Sequence, residues 1–347
     1  MTYRVTMQSS HYQFDAEEKE TILEAAIRQN IPLPYGCRNG LCGQCKCQVL
    51  AGQIKQDTYA EGTLKPAEIQ DNIVLLCRSH ADSDLRLQSE IPNNQTVITP
   101  KIVTVQVKSI DRFHRVALVN LALPNDSPFV FYAGQYINVI LKDGSERSFS
   151  IANSPYESNY IELHVRHRLN GKFSDYVFSD PIEPGEFLQI RGPMGDFTLK
   201  ESSKPILFVC SGTGFAPIQS IIGHMIKLQS KRAITLYRGA RDKNDLYLNK
   251  RIEAWQSELA NFRYIPILSA SVPIDHWVGR TGYVHQAVLN DFTDLSNYQA
   301  YVCGGQTMVE SVYQSLLSKG LPDSEFYSDT FFMAPKIQHA AVNEVKR

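Results

Sequence analysis

The sequence PYGCRNGLCGQC, residues 34–45, places three cysteines at the spacing C-x4-C-x2-C, and a fourth cysteine, Cys77, follows after 31 further residues. Four thiolates at this spacing are typical of a plant-type [2Fe-2S] cluster. The glycines of the loop allow the backbone to turn sharply and to approach the cluster closely. The pattern therefore predicts an iron–sulfur centre whose ligands are Cys37, Cys42, Cys45 and Cys77.

Other uses of these cysteines fit the pattern less well. A structural zinc ion could use Cys42 and Cys45, but neither a second C-x2-C pair nor a histidine close in sequence accompanies them. Disulfides would require an exported protein. Cys47 lies two residues beyond Cys45 and would share its face on a strand. We expect Cys47 to be a buried packing residue, with replacement of a ligand as the alternative.

The bulk composition indicates a globular protein of two or three domains. The chain has 347 residues, 43% of them hydrophobic and 20% charged, with a net charge of −1. A charge so close to zero argues against binding to nucleic acid or anionic lipid. The apolar runs fall short of the roughly 20 residues that span a bilayer, and the N-terminus lacks the apolar core of a signal peptide. Together with seven cysteines, this predicts a cytoplasmic location.

The N-terminal part, residues 1–92, is expected to form one domain. The pattern predicts two strands within residues 1–14, a helix over Glu17–Arg28 with acidic residues in its first turn, and strands near 45–50, 73–76 and 84–89. With the cysteine pattern, these elements resemble a plant-type ferredoxin, which implies a β-grasp fold. The polar segment 91–96 is predicted to be a linker.

Two further domains are expected, so the predicted fold class is multidomain α/β plus β. Alternating β-branched residues and regular turns over 98–200 predict a closed antiparallel β-barrel. From Pro205 the pattern changes to strands alternating with helices, which predicts a doubly wound α/β domain over 204–333. Residues 334–347 are expected to be a polar tail. The predicted α/β elements are strands 206–210, 233–237, 264–268, 300–303 and 325–328, and helices 217–228 and 246–259.

Motifs in the barrel segment favour a flavin site. In the sequence RSFS, residues 147–150, the Arg147 guanidinium offers a planar donor fork for a pyrophosphate. Phe149 shares its face on a strand and can pack against a flavin ring. The sequence GKFS, residues 171–174, opens a predicted helix over 173–178, and a helix N-terminus suits a phosphate.

These motifs and the sequence RGPMGDF at 191–197 resemble the R-x-[YF]-[ST], G-x-x-[ST] and G-P-x-G motifs of the ferredoxin–NADP reductase superfamily. The resemblance implies a hydroxyl near flavin N5 and a flavin-binding β-barrel, and the N-terminal position of the ferredoxin implies FAD. The family usually has Tyr in place of Phe149. A metal pair of His164 and His167 is disfavoured because positions i and i+3 face opposite sides of a strand. The implied flavin contacts are Arg147, Phe149, Ser150, His164, Val165, Gly171, Lys172, Phe173 and Ser174.

A second dinucleotide loop follows the first predicted strand of the α/β domain. The sequence SGTGFAPI, residues 211–218, puts glycines before a helix, where the backbone can approach a pyrophosphate. It resembles the family's G-x-G-x-x-P motif, and Cys303-Gly304 and residues 328–331 resemble its C-G-[GP] turn and its acid-x-Phe ending. The resemblance implies nicotinamide contacts and a flavin-covering phenylalanine. The implied set is Gly212, Thr213, Gly214, Pro217, Cys303, Gly304 and Phe331, with Ser150, Cys303 and Asp329 as catalytic residues.

The sequence leaves the choice between NADH and NADPH open. Arg238 and Arg241 could face the 2′-phosphate of NADPH, but Asp242 and Asp245 follow closely. The resemblance is to NADH-using oxygenase reductases, and we expect NADH, with NADPH as the alternative.

The resemblance extends to about residue 333 and implies a reductase that passes electrons from NAD(P)H through FAD and [2Fe-2S] to a protein partner. An oxygenase component is the expected partner, and the reductase is expected to be a monomer. The alternatives are CDP-6-deoxy-3,4-glucoseen reductase, whose partner is a pyridoxamine-phosphate-dependent dehydratase, a free-standing reductase of flavin or small molecules, and a non-enzymatic module that holds zinc. Residues 1–97 contain 12 acidic and 9 basic residues, which predicts a basic docking patch on the partner. We expect that partner to dock over residues 38–41.

Overall fold

A computed structural model describes residues 1–8, 10, 12–89, 98–124, 129–157, 159–179, 181–270 and 276–331. The predicted linker over 91–96 and the predicted tail over 334–347 lie outside the described residues. Three large sheets follow one another along the chain. None of the helices in the described ranges is long and apolar enough to cross a membrane.

The first sheet has the predicted β-grasp arrangement. Its strand order is β2-β1-β7-β3-β5, with β1 parallel to β7, and α1 covers it with Ile22, Leu23 and Ala26. The elements are β1 Thr2–Met7, β2 Gln13–Glu17, α1 Ile22–Arg28, β3 Lys46–Ala51, β4 Ile54–Gln56, α2 Pro66–Gln70, β5 Ile73–Leu75, a 3₁₀ turn Leu76–Arg78, β6 Ser79–Ala81 and β7 Leu85–Gln88. Strands β4 and β6 pair separately, and neither they nor α2 were expected.

The first helix begins later than predicted. Glu17 ends β2, where it pairs with Thr2, and Thr21 caps the helix. The Thr21 hydroxyl accepts a hydrogen bond from the Glu24 backbone N–H at 3.2 Å, and the Glu24 carboxylate accepts one from the Thr21 N–H at 2.9 Å. This capping box sets the helix start, because it satisfies two backbone donors at once. The acidic residues expected in the first turn, Glu17, Glu18 and Glu20, precede the helix, and the first turn contains Glu24 instead.

The second sheet closes into the predicted antiparallel barrel. Its order is β11-β10-β13-β8-β9-β12, and a bridge between Ile151 and Leu163 joins its two edges. Val103, Val105 and Val107 alternate with exposed residues on β8 and point into the core. The elements are β8 Lys101–Phe113, β9 Val116–Ala122, β10 Tyr136–Ile140, β11 Glu146–Ser150, β12 Tyr160–Arg166, α3 Lys172–Phe178 and β13 Phe187–Met194.

The third sheet is parallel and doubly wound, as predicted. Its order is β17-β16-β15-β14-β18-β19, so the winding reverses between β14 and β18 and leaves a crevice at their carboxyl ends. The strands are β14 Ile206–Ser211, β15 Ile234–Ala240, β16 Phe262–Leu268, β17 Arg280–Thr281, β18 Gln299–Gly305 and β19 Phe326–Phe331. The helices are α4 Phe215–Lys227, α5 Asn249–Glu258, α6 Val284–Asp291 and α7 Gln306–Leu317, with 3₁₀ turns at Gly212–Gly214, Lys243–Asp245 and Asp323–Glu325.

Candidate functional site

The four predicted cluster ligands lie in two close pairs. The sulfurs of Cys45 and Cys77 are 3.3 Å apart. In the other pair, the Cys37 backbone N–H donates to the Cys42 sulfur, and the Leu41 and Cys42 N–H groups donate to the Cys37 sulfur, each at 3.3 Å. The loop turns tightly enough to aim backbone donors at sulfur, a contact that favours thiolates. Cys77 reaches the loop from the 3₁₀ turn that follows β5.

The donor set fits a two-iron cluster. The Cys42 thiol and the surrounding backbone N–H groups lower the pKa of Cys37 to about 6, and the Cys45 thiol lowers the pKa of Cys77, whereas the same thiol contacts and burial raise the pKa of Cys42 and that of Cys45. Within the described ranges, no three His, Cys, Asp or Glu side chains gather around a single metal ion. Two separate thiol pairs suit two irons that each take two thiolates.

Cys47 points away from these thiols. Its sulfur lies 3.3 Å from the carbonyl oxygen of Gln88, and burial raises its pKa to about 12. A thiol in such surroundings stays protonated and acts as a small apolar side chain. The position agrees with the packing role that we expected for it.

One edge of the cluster loop lies against the rest of the chain. Arg38 Nη1 is 3.4 Å from the sulfur of Met194 in β13, and the Gln44 side-chain amide donates to the backbone carbonyl of Ser328 in β19. Arg38 is therefore half-buried with one end of its side chain against the barrel, and the docking of a partner over residues 38–41 stays a prediction.

The first two flavin motifs adjoin on the barrel. The rings of Phe149 and Phe173 are in contact, with centroids 5.1 Å apart. Arg147 Nη1 donates to its neighbour's carbonyl, Glu146 O, at 2.8 Å, and no ion pair involving Arg147 occurs among the described residues. A guanidinium without a carboxylate partner keeps its other donors available for an anion.

Side chains of the second motif are occupied within the protein. The Ser174 hydroxyl accepts from the Arg168 N–H at 3.1 Å and lies within 3.0 Å of the Arg168 and Gly171 carbonyls. The Lys172 ammonium pairs with the Asp143 carboxylate. A pyrophosphate at this loop would therefore depend on backbone N–H groups and Arg147 rather than on these two side chains.

His164 and Val165 do not present their side chains to an open flavin site. Both are buried, and His164 Nε2 lies 3.1 Å from Glu162 Oε1 while its Nδ1 lies 2.9 Å from Tyr247 Oη. Burial lowers the pKa of His164, so the ring is neutral; its Nε2–H donates to the carboxylate and Tyr247 donates to Nδ1. Flavin contacts at these positions are left to the backbone. His167 lies elsewhere, 3.6 Å from Asp175.

The glycine loop after β14 lies against the end of β18. A Cβ at Gly214 would stand 2.2 Å from the carbonyl oxygen of Cys303, so only glycine allows this approach. Pro217 is buried in the first turn of α4. The loop and the Cys303-Gly304 turn therefore meet at the crevice where the sheet reverses.

The three predicted catalytic residues converge on one carboxylate. Asp329 Oδ2 lies 3.4 Å from Ser150 Oγ and 4.0 Å from Cys303 Sγ, although the three residues come from β11, β18 and β19. Burial raises the pKa of Asp329 to about 6, against the hydrogen bond from Ser150, which lowers it. Burial also raises the pKa of Cys303, so the thiol is protonated. Phe331 lies opposite Gly305 at the end of β19 and packs against the core of the α/β domain.

A buried polar network beside this site was not foreseen. Glu162 Oε1 accepts from Gln219 Nε2 at 2.6 Å and lies 3.4 Å from Arg251 Nη1, in addition to its contact with His164. Tyr247 Oη also lies 3.4 Å from the carbonyl oxygen of Gly212. The network therefore links barrel strand β12 to α4, α5 and the glycine loop. An acidic residue two positions before a histidine on an apolar strand was its only signal in the sequence.

Arg238 is not placed to contact the 2′-phosphate of NADPH. It is buried in β15, where its guanidinium lies 4.2 Å from the ring centroid of Phe215 and 4.6 Å from that of Tyr247. Its Nη1 donates to the Tyr247 carbonyl at 2.7 Å. Arg241 remains exposed, 4.0 Å from Asp245.

Comparison with known families now places the chain. Residues 5–82 match the 2Fe-2S iron-sulfur cluster binding domain, residues 104–199 the oxidoreductase FAD-binding domain, and residues 208–314 the oxidoreductase NAD-binding domain. The CDP-6-deoxy-L-threo-D-glycero-4-hexulose-3-dehydrase reductase of Yersinia pestis is 34% identical over 95% of this chain and 99% of the relative. The chain belongs to the iron–sulfur flavoprotein reductases.

Other relatives of this reductase are components of oxygenase systems. Terephthalate 1,2-dioxygenase reductase component 1 of Comamonas sp. is 35% identical over 98% of this chain and 100% of the relative. Phenol hydroxylase P5 protein of Acinetobacter pittii is 34% identical over 96% of both chains. Among solved structures, an Amycolatopsis cytochrome P450 reductase has a TM-score of 0.81 and 27% identity, and covers 95% of this chain and 98% of its own.

The reductase is an NAD(P)H oxidoreductase whose cofactors are [2Fe-2S], FAD and NAD(H), and it passes electrons to a partner. The expected superfamily, fold class and cofactors are thereby confirmed. When bound, FAD supplies the conversion of a two-electron donor into single-electron transfers, and the cluster supplies a one-electron relay. At neutral pH the Cys303 thiol keeps its proton, whereas Asp329, with a pKa of about 6, is mostly ionised.

Proposed function

We propose that this reductase delivers electrons to the terminal component of a multicomponent oxygenase. The observation that carries electron transfer within the chain is that Asp329 contacts both Ser150 and Cys303, while Gln44 of the cluster loop donates to Ser328, the residue before it. The predicted nicotinamide, flavin and cluster segments thus meet around two consecutive residues of β19. A relative named as a dioxygenase reductase component and another named for phenol hydroxylase support the choice of partner.

We assign the cofactor roles as follows. Arg147 and the backbone of residues 171–174 bind the pyrophosphate of FAD, Phe149 packs beside the flavin, and Ser150 donates near its reactive edge. Residues 212–214 and Pro217 bind the pyrophosphate of NADH, which we favour over NADPH. Cys303 and Asp329 flank the nicotinamide, and Phe331 covers the flavin. The division into domains at 1–92, 98–200 and 204–333, the cytoplasmic location and the monomeric state belong to the same proposal.

Reconstitution with a terminal oxygenase tests the choice of partner. A terminal oxygenase component, supplied with NADH and its aromatic substrate, should form hydroxylated product only when the reductase is added. Product formation without the reductase, or no product with an oxygenase that is active with another reductase, would exclude the oxygenase role.

Two cysteine variants test whether the flavin and the cluster act as separate steps of the electron route. Cys42→Ser removes a predicted iron ligand and should abolish partner reduction, while NADH-dependent reduction of a flavin-directed dye survives. Cys47→Ser is the matched control, because this sulfur contacts Gln88 rather than the other thiols. The Cys47→Ser variant should keep the red-brown absorption of the iron–sulfur cluster and should still reduce the partner. Equal loss of dye and partner reduction in Cys42→Ser would contradict the separation of the flavin from the cluster.

A sugar dehydratase is the second candidate partner. It is favoured by the Yersinia pestis relative, which matches 95% of this chain. The same assay with a pyridoxamine-phosphate-dependent dehydratase and its CDP-sugar distinguishes it, since only the true partner should accept electrons at low reductase concentration. Reduction of cytochrome c with neither protein would favour a free-standing reductase. A colourless purified protein that contains zinc would favour the non-enzymatic module.

A further inference from the structure

A phenol from the barrel reaches the backbone of the cluster loop. Tyr136 opens β10, and its Oη donates a 2.8 Å hydrogen bond to the carbonyl oxygen of Gly36, the residue before Cys37. On the barrel side, Tyr136 lies directly opposite Ser150 in the pairing of β10 with β11. Side chains at such paired positions are neighbours. One residue therefore joins the strand proposed to meet the flavin to the backbone of a predicted iron ligand.

The Tyr136 ring is held in place and stays a donor. A Cβ at Gly195 would lie 2.8 Å from Cδ1 and 2.9 Å from Cε1 of the ring, so the ring rests on a glycine with no room for a larger residue. Burial raises the pKa of Tyr136 well above its ordinary value. The phenol therefore keeps its proton at neutral pH, as its hydrogen bond to the Gly36 carbonyl requires.

A second hydrogen bond fixes the other end of the loop. Gln44 donates through its side-chain amide to the carbonyl of Ser328, which precedes Asp329 in β19. The two contacts bridge residues 100 and 284 positions apart and come from different sheets. Because both are made by uncharged groups, they orient the loop without depending on ionic strength.

We propose that Tyr136 is a positioning residue for electron transfer between FAD and the cluster. Its hydrogen bond holds the Cys37 edge of the cluster loop against the barrel beside Ser150 in β11. Gln44 holds the loop in the same position through Ser328, the residue before Asp329. The step that it serves moves one electron at a time from reduced FAD, which is oxidised, to the cluster, which is reduced. Tyr136 keeps its proton throughout. The inference rests on the proposed position of FAD at Ser150.

The variant Tyr136→Phe keeps the ring and removes only the donor. In the full-length holoprotein, amide hydrogen exchange within residues 35–45 should become about fivefold faster, as expected for the loss of one hydrogen bond. In stopped-flow experiments, reduction of the flavin by NADH should keep its rate, and the following reduction of the cluster should slow by a similar factor. Tyr176→Phe is the matched control, because it removes a phenol bond to Glu186 elsewhere on the barrel. It should change neither measurement.

The outcomes separate this inference from the proposed function. Unchanged exchange overturns it, and so does a loosened loop with an unchanged rate of cluster reduction, because the bond would then be structural only. Failure of NADH to reduce the flavin in the unmodified protein would instead contradict the proposed FAD site. Gln44→Ala provides a second variant: it should slow cluster reduction in the same way, and an unchanged rate there also counts against the inference.

Discussion

Asp329 is the carboxyl group that both Ser150 and Cys303 approach in the candidate site. Folding half-buries it between Ser150 and Cys303, and this desolvation raises its pKa from the ordinary 3.8 to about 6. The unfolded chain therefore releases this proton first as the pH rises, and the folded state becomes progressively less stable between these two values. The full loss of stability applies above about pH 6, and there is no loss below the pKa that this carboxyl group has in the unfolded chain.

The variant Asp329→Asn should remove the loss of stability that ionisation of Asp329 causes. In the flavin-free protein, we expect its free energy of unfolding to exceed that of the unmodified chain by roughly 1 kcal/mol at about pH 8, after allowance for partial exposure. The difference should vanish at about pH 3, where the carboxyl group is protonated in both the folded and the unfolded chain. Denaturant unfolding at the two pH values is the measurement. A variant that is less stable at pH 8 would show that the ionised carboxylate is well compensated.

At the scale of elements, strand β12 and the loop before α5 form a joint between the barrel and the α/β domain. Glu162 and His164 extend from the strand, and Tyr247 completes the chain of contacts to Gly212. Glu162, His164 and Tyr247 are buried, so the loss of the Tyr247 hydroxyl leaves His164 Nδ1 unsatisfied. The joint thereby fixes the glycine loop relative to the barrel.

The variant Tyr247→Phe should weaken this joint. It leaves His164 Nδ1 without a donor, and we expect a loss of about 1–3 kcal/mol in the free energy of unfolding. The KM for NADH should rise, because the phenol no longer lies beside the Gly212 carbonyl, while the flavin content stays unchanged.

The matched control for this variant is Tyr313→Phe, which removes an exposed phenol contact with Asp323 and should change stability by less than about 0.5 kcal/mol. Equal effects of the two variants, measured by denaturant unfolding and NADH kinetics, would contradict the role of the joint.

At the scale of the whole molecule, the proposed electron route has an internal step, from FAD to the cluster, and an external step, from the cluster to the partner. The two steps depend on contacts that differ in charge. The cluster loop meets the rest of the chain through uncharged hydrogen bonds from Tyr136 and Gln44 and through the contact of Arg38 with the uncharged sulfur of Met194, and none of these contacts is an ion pair. The proposed docking surface for the partner belongs to residues 1–97, which contain 12 acidic and 9 basic residues. Salt should therefore affect only the external step.

Electron transfer to the partner is expected to slow as ionic strength rises from about 0.01 to 1 M, over which the screening length falls from about 30 to 3 Å. Reduction of the cluster by NADH within the same protein should change little. Stopped-flow rates of the two steps across the salt series provide the measurement. A rate of partner reduction that does not depend on salt would remove the electrostatic part of docking.

Most of the architecture could be predicted because its signals are local. The barrel and the α/β domain follow from patterns of alternation within single segments, and the cysteine spacing lies almost entirely within residues 34–45. Element limits were less accurate where a cap decides them, as at Thr21. The position of Arg38 could not be predicted, because its contact with Met194 joins residues 156 positions apart.

The sequence by itself determined the chemistry of this protein: the ligand spacing of an iron–sulfur loop, the dinucleotide loops and the order of the three domains. These features depend on residues that act within one turn or one strand. Only the tertiary structure decided what lies against what: the convergence of Ser150 and Cys303 on Asp329, the burial of His164, and the bond from Tyr136 to Gly36. Such contacts depend on how sheets pack in three dimensions, and no local periodicity encodes that packing.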